Sequence, residues 1–137
     1  MERIWHKHVV EGNPVEIDIA EISLPELFMQ SVRTYYERPA VTFFDKTYTY
    51  GELDSAVQRT ASALVKLGIK KNDRVAIMLP NCPQYPIIYF AVLFCGAIVV
   101  QVNPMYRENE LHHVLSDSGA KVLFLLDRFV PTVQRVL

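Results

Sequence analysis

Four histidines and two cysteines are the side chains of this 137-residue chain best suited to proton transfer, metal binding or nucleophilic attack near neutral pH. Cys82 lies just before a predicted helix entrance, where the positive end of the helix dipole would favour its thiolate. His112 or His113 could in principle approach it as a base. Nothing in the sequence supplies the third, orienting group, so a cysteine nucleophile is not expected. Adjacent residues of a helix point to different faces, so His112 and His113 do not easily share one metal ion. His6 and His8 flank Lys7 in an N-terminal stretch without helical period. All four histidines are read as surface or satisfied core residues. Cys82 and Cys95 sit in apolar surroundings without CxxC spacing, which argues against a disulfide scaffold or a structural zinc site.

Phosphate cradles are missing as well. The sequence holds neither GxGxxG nor GxxxxGK[ST]. Two predicted strands end in Leu79-Pro80-Asn81 and Val102-Asn103-Pro104. Ligands of open α/β sheets gather at such carboxyl ends, so Asn81, Gln84 and Asn103 are the polar groups to consider. They are amides, neither acids nor bases, and such residues more often pin a loop or cap a helix than bind a ligand. No residue is assigned a catalytic, cofactor-binding or metal-ligating role from its own chemistry.

These groups hang on the stretch from Arg74 to Arg107, which has no charged residue between its two arginines. Val75–Leu79 is a short apolar run closed by Pro80, as expected of a strand buried on both faces. Pro83 and Pro86 suit a helix entrance rather than its middle. Ile87–Phe94 is apolar on all sides, so that helix needs cover all round. Gly96 stops it, and Ile98–Val102 is a second β-branched run. Strand, helix, strand make a parallel βαβ unit with a right-handed crossover. The longest apolar run, Ile87 to Val100, is shorter than the roughly 20 residues a spanning helix needs, so a buried core is predicted.

The flanking sequence extends this pattern. Residues 1–22 read as an extended arm, with Val15, Ile17 and Ile19 alternating. Ser23-Leu24-Pro25-Glu26 is a capping box with Ile22 and Leu27 as its staple. A helix to about Tyr36 follows, with Leu27, Phe28, Ser31, Val32 and Tyr35 on one face. Ala40–Phe44 and Tyr48–Tyr50 flank a turn at Asp45-Lys46-Thr47 and predict an antiparallel hairpin. Thr49-Tyr50-Gly51-Glu52 is a second capping box. Its helix faces inward through Leu53, Ala56, Val57, Thr60, Leu64 and Leu67, and ends at Gly68. Glu108–Ser118 predicts a helix with Leu111, Val114 and Leu115 inward, poorly capped because Arg107 precedes it. Lys121–Leu126 predicts a third buried strand, and Asp127 a cap for a last helix to Leu137. The expected fold is α/β: parallel βαβ units in a three-layer sandwich with a small antiparallel hairpin. An arm (1–22) precedes one unit (23–137).

Composition narrows the function classes. Half of the residues are hydrophobic and 21% are charged, which excludes a disordered chain. The net charge of −1 leaves no electrostatic footprint for nucleic acid. Met1–His6 lacks a signal-peptide h-region, so a reducing cytoplasm is the default.

Five ordered blocks carry a resemblance. They are Thr49-Tyr50-Gly51-Glu52-Leu53, then Gly68-Ile69-Lys70-Lys71-Asn72-Asp73-Arg74-Val75-Ala76-Ile77, then Leu79-Pro80-Asn81-Cys82-Pro83. Val99-Val100-Gln101-Val102-Asn103-Pro104-Met105-Tyr106 and Asp117-Ser118-Gly119-Ala120-Lys121-Val122 complete them. In order and spacing the chain resembles the N-terminus of the adenylate-forming (AMP-binding) enzymes, among them acyl-CoA synthetases, luciferases and peptide-synthetase adenylation domains. Ile4-Trp5, Pro14-Val15-Glu16-Ile17, Gln84-Tyr85-Pro86 and the Asn103–Tyr106 loop are most similar to bacterial long-chain fatty-acid CoA ligases. The resemblance implies a parent enzyme that adenylates a fatty acid with ATP and Mg²⁺ and passes the acyl group to CoA. It implies a partial N-terminal subdomain here, because the family's Pro-Lys-Gly loop, Tyr-Gly-x-Thr-Glu motif, ribose-binding aspartate and C-terminal lysine are not in this sequence. The chain alone is therefore expected to be inactive, with no ATP, Mg²⁺ or CoA bound. Arg107 departs from the threonine usual in relatives. Self-association or a homodimer is expected, as is a cytoplasmic location with contact at the inner membrane face. The alternative is a non-catalytic α/β interaction or dimerisation module.

Overall fold

Reciprocal capping boxes start the first two long helices of the computed structural model, which describes residues 3–14 and 16–136. In α1 (Leu24–Tyr35) the Ser23 hydroxyl accepts the Glu26 N–H, while the Glu26 carboxylate accepts the Ser23 N–H at 2.9 Å. The strands β1 (Pro39–Phe43) and β2 (Lys46–Thr49) then form the antiparallel hairpin. Thr49 and Glu52 repeat the same exchange at the start of α2 (Tyr50–Lys66). Next come β3 (Arg74–Met78), α3 (Gln84–Phe94) and β4 (Ile98–Gln101). The chain continues through α4 (Glu108–Ser118), β5 (Val122–Leu125) and a short α5 (Val130–Gln134).

The three parallel strands lie in the order β4-β3-β5, with Arg74 opposite Ile98 and Val75 opposite Val122. From β3 the chain crosses to one side of the sheet to reach β4, then back over β3 to reach β5. Two crossovers of the same hand in opposite directions put their helices on opposite faces. The side chains of β3 obey this. Val75, Ile77 and Leu79 join a core built with Phe28, Val57, Leu64, Ile88 and Val92, from α1, α2 and α3. Ala76 and Met78 join a smaller core with Val102, Leu111 and Val133. The result is the expected three layers, with β3 buried on both faces.

Several expectations need correction. The first helix buries only Phe28 and Val32, and leaves Leu27 and Tyr35 half exposed. Leu67, expected on the inward face of α2, is 70% exposed. The hairpin turn is the pair Phe44-Asp45, with Phe44 at φ +49°, and Lys46 and Thr47 belong to the strand. The arm is not extended throughout: Ile4–His8 forms a 3₁₀ turn in which His6 Nδ1 accepts the Arg3 N–H at 3.4 Å. Asp127 caps no long helix. It opens a 3₁₀ turn, accepting the Arg128 N–H at 2.8 Å, and α5 begins at Val130 with Pro131 in its first turn. Val15 and Leu137, named in two of those expectations, lie outside the described residues.

Candidate functional site

The carboxyl ends of the strands carry two clefts. The larger, about 720 Å³, lies between the loop after β4 and the short helix α5. Met105, Tyr106, Arg107 and Glu108 line it from one side, and Phe129 and Arg135 from the other. The loop is held by an Asx turn, in which Asn103 Oδ1 accepts the Met105 N–H at 2.9 Å. Its helix is half capped. The Glu110 carboxylate accepts the Arg107 N–H at 2.9 Å, but a guanidinium has only donors and cannot accept in return. An ion pair between Arg135 Nε and Glu108 closes one end. The smaller cleft, about 340 Å³, lies after β3 and is lined by Val41, Phe43, Asn81, Cys82, Pro83 and Tyr85.

Of the polar residues singled out in the sequence, only Asn81 and Cys82 meet. Asn103 serves the loop itself, and Gln84 is exposed at the first position of α3. His112 and His113 are exposed on α4, where His112 borders a groove with Leu115 and Leu123 on the second face of the sheet. Cys82 packs against the core of the first face, so the sheet separates it from both histidines. His6 Nε2 lies 3.3 Å from a Glu16 carboxylate oxygen in the arm. Cys95 hands its thiol proton toward Ala61 O at 3.6 Å, and burial pushes that thiol above its ordinary range. Its reactivity as a thiolate is correspondingly low. Burial, aided by Tyr89, likewise raises the Tyr85 phenol.

Neither cleft pairs a nucleophile with a base. Among the described residues no group of three or more His, Cys, Asp or Glu side chains is placed to hold a metal ion. Nor does either cleft supply a glycine-rich run of N–H groups for phosphates. These residues do not fit ATP or Mg²⁺, and no catalytic step is derived through them. Tyr106, Arg107, Glu108 and Arg135 were invisible as a group in the sequence, because Arg135 meets Glu108 only after β5 and α5 fold back.

An ion pair sits at the opposite end of the sheet. Lys121 Nζ lies 2.6 Å from Asp73, and the Lys70 N–H donates to the same carboxylate at 2.9 Å. Lys121 first, then the Lys70 N–H, holds the Asp73 carboxyl below its ordinary range. A depressed carboxyl stabilises the fold above its unfolded pKa, and that stability is lost as pH falls through the lower, folded value. Thermal midpoints measured from pH 7 downward should fall below about pH 4, and more shallowly in Asp73→Asn. Equal slopes for both chains would show that this pair does not link folding to pH.

Comparison with known proteins adds what the clefts do not. A family model described as AMP-binding enzyme matches residues 28–136. The long-chain-fatty-acid–CoA ligase of Yersinia pestis is 40% identical over 139 residues, covering 100% of this chain and 25% of that protein. The long-chain-fatty-acid–CoA ligase of Bacillus subtilis is 35% identical, covering 95% of this chain and 23% of that one. The crystal structure of the N-terminal domain of FACL13 from Mycobacterium tuberculosis superposes with a TM-score of 0.77 at 27% identity. That match covers 81% of this chain and 29% of that one. The chain thus spans about a quarter of the length of the curated relatives it matches.

Proposed function

The chain belongs to the AMP-binding enzyme family, and on that premise we propose that it is the N-terminal part of an ATP-dependent long-chain fatty-acid CoA ligase. The observation that carries this reading is 40% identity, along the whole of this chain, with a quarter of a protein of that name. Such a ligase joins a fatty-acid carboxylate to the thiol of CoA at the expense of ATP, with Mg²⁺ to carry phosphate charge. The residues of this chain contribute shape rather than chemistry. β3 anchors the Leu79–Cys82 and Asn103–Tyr106 loops through its two cores, at the ends of a sheet where ligands of this architecture collect. Residues 1–22 form an arm on a subdomain piece made by 23–137. Among the described residues no helix is long and apolar enough to cross a membrane. A cytoplasmic location with contact at the inner membrane face belongs to the same proposal, as does self-association of the chain.

The test has two arms. A longer protein carrying this sequence should form acyl-CoA and AMP from palmitate, ATP, Mg²⁺ and CoA, and should prefer palmitate to acetate or an amino acid. The 137-residue chain under the same conditions should release no pyrophosphate. Preference for acetate would overturn the long-chain assignment, and pyrophosphate from the short chain would overturn its inactivity. The coding sequence past Leu137 decides the remaining alternative. A glycine-rich Pro-Lys-Gly loop supports the ligase, and a stop codon supports a non-catalytic interaction module on the same fold.

A further inference from the structure

Among the described residues β5 pairs with β3 on one side and with no strand on the other. The backbone shows which groups that leaves over. The Lys121 N–H donates to the Arg74 carbonyl at 2.9 Å, toward β3. Successive residues of a strand turn their N–H and C=O groups to opposite sides, so Leu123 and Leu125 also face β3. Val122 and Phe124 then face the outer edge. An apolar groove flanks that edge on each face. Ala63, Leu67, Ile87 and Phe124 line one of about 400 Å³, and Leu115, Leu123, Leu125 and Val136 line one of about 550 Å³. Parallel strands are normally buried by their neighbours and by helices on both faces, yet all four residues of β5 are partly exposed.

We propose that in a longer parent the segment directly after Leu137 forms a strand on this edge, parallel to β5. The course of the chain selects it. To pass from β4 to β5 the chain crosses the sheet with α4 on the second face, where Leu111 packs. A further step in the same direction, with the same right hand, keeps its helix on that face. α5 lies there, with Val133 in the second core beside Ala76, Met78 and Leu111. A step back beyond β4 would need the helix on the first face. The path after α5 agrees. Val133 and Val136 line one groove with Ala120 and Lys121, the residues that lead into β5. By Val136 the chain is thus back beside the start of β5, where a parallel neighbour begins. Residues 126–137 already supply roughly the dozen residues that such a crossover takes.

The chemistry of the occupant follows from the edge. Its N–H and C=O groups must meet those of Val122 and Phe124. Its side chains must close both grooves, so neither of its faces is polar, and inner parallel strands read as near-continuous apolar runs. A run of about four or five such residues, partly β-branched, suits a neighbour of β5. It should start within about six residues of Leu137, the usual span of a connection from helix to strand. The chain spans about a quarter of the length of the relatives it matches, so a parent of that size has the residues to supply it. The pairing rests on the proposed reading only in placing the chain in a longer protein, and not in what that protein catalyses.

Two measurements on the longer protein test it. Hydrogen exchange resolved to single amides compares the two sides of β5. Val122 and Phe124 should exchange as slowly as Leu123 and Leu125, to within about tenfold, because both sides of an inner strand are hydrogen-bonded. Cross-linking then identifies the neighbour. Leu125→Cys, paired in turn with single cysteines along the first apolar run after Leu137, should be joined to that run by a short bis-maleimide, since adjacent strands lie about 4.8 Å apart. A stop codon after Leu137 overturns this pairing together with the proposed parent. In a parent that does form acyl-CoA, the pairing alone is overturned if Val122 and Phe124 exchange more than about tenfold faster than Leu123 and Leu125. The absence of an apolar run within that span overturns it too, as does a run that links at no position to Leu125→Cys.

Discussion

Ile77→Asp is expected to leave the chain without a cooperative thermal transition. Ile77 is 0% exposed and sits in the middle of the central strand, opposite Gln101 on one side and Phe124 on the other. The substitution loses the burial of an isoleucine side chain, worth about 1.5–3 kcal/mol. It also puts a carboxylate among Phe28, Val57, Leu64, Ile88 and Val92, where Ile77 now packs, with no cation at hand. An unpaired ion in such a place costs several kcal/mol more even after relaxation. Net stabilities of domains are about 5–15 kcal/mol, so the sum reaches the whole of it. Ile77→Val, which removes one methyl group at the same site, should cost about 0.5–1.5 kcal/mol and keep the transition. Thermal melts followed by circular dichroism separate the outcomes. An aspartate variant melting within a few degrees of the original would mean that β3 is not the common wall of both cores.

What the sequence disclosed follows the range of the forces involved. Capping at Ser23 and Thr49 is a matter of three residues, and both boxes form with the expected partners. The βαβ alternation is almost as local: β4 and β5 lie within the predicted segments, and β3 starts one residue before its own, at Arg74. The helix predicted to be apolar all round is α3, and every residue after Gln84 in it is at least partly buried. The misreadings lie where no residue type carries the signal. Phe44 takes a positive φ that Gly or Asn would have announced. The Ile4–His8 turn is too short to show a period. Pro131 fixes the start of α5, yet Asp127 looked the better cap by composition. The larger cleft was hidden for another reason: its walls are brought together by the Arg135–Glu108 pair across 27 residues of chain. Neither cleft discloses a reaction. The family was legible instead in the order of five sequence blocks.

Leu111→Ala should cost about 2–5 kcal/mol in urea unfolding, within the range for truncating a buried leucine. The upper half of that range is expected, for reasons of place. Leu111 is 0% exposed, and is the one fully buried side chain of α4 among the described residues. It joins Ala76, Met78, Val102 and Val133 in the smaller core, where three of the four neighbours belong to the sheet or its immediate continuation. A strand hydrogen-bonded on both sides cannot move inward to fill the gap, so more of the cavity should persist. Nor can α4 be held by its ends. Its start has half a capping box, while its last turn closes only through Gly119 in the left-handed region at φ +58°. Packing of Leu111 is therefore what fixes the helix against β3, and with it the position of Glu108 across the cleft from Arg135. Leu115→Ala, one turn on and partly exposed, removes the same atoms from a site that water already reaches, and should cost about 1 kcal/mol. Unfolding curves for the two variants decide the matter: equal losses would show that α4 is held along its length rather than at one side chain.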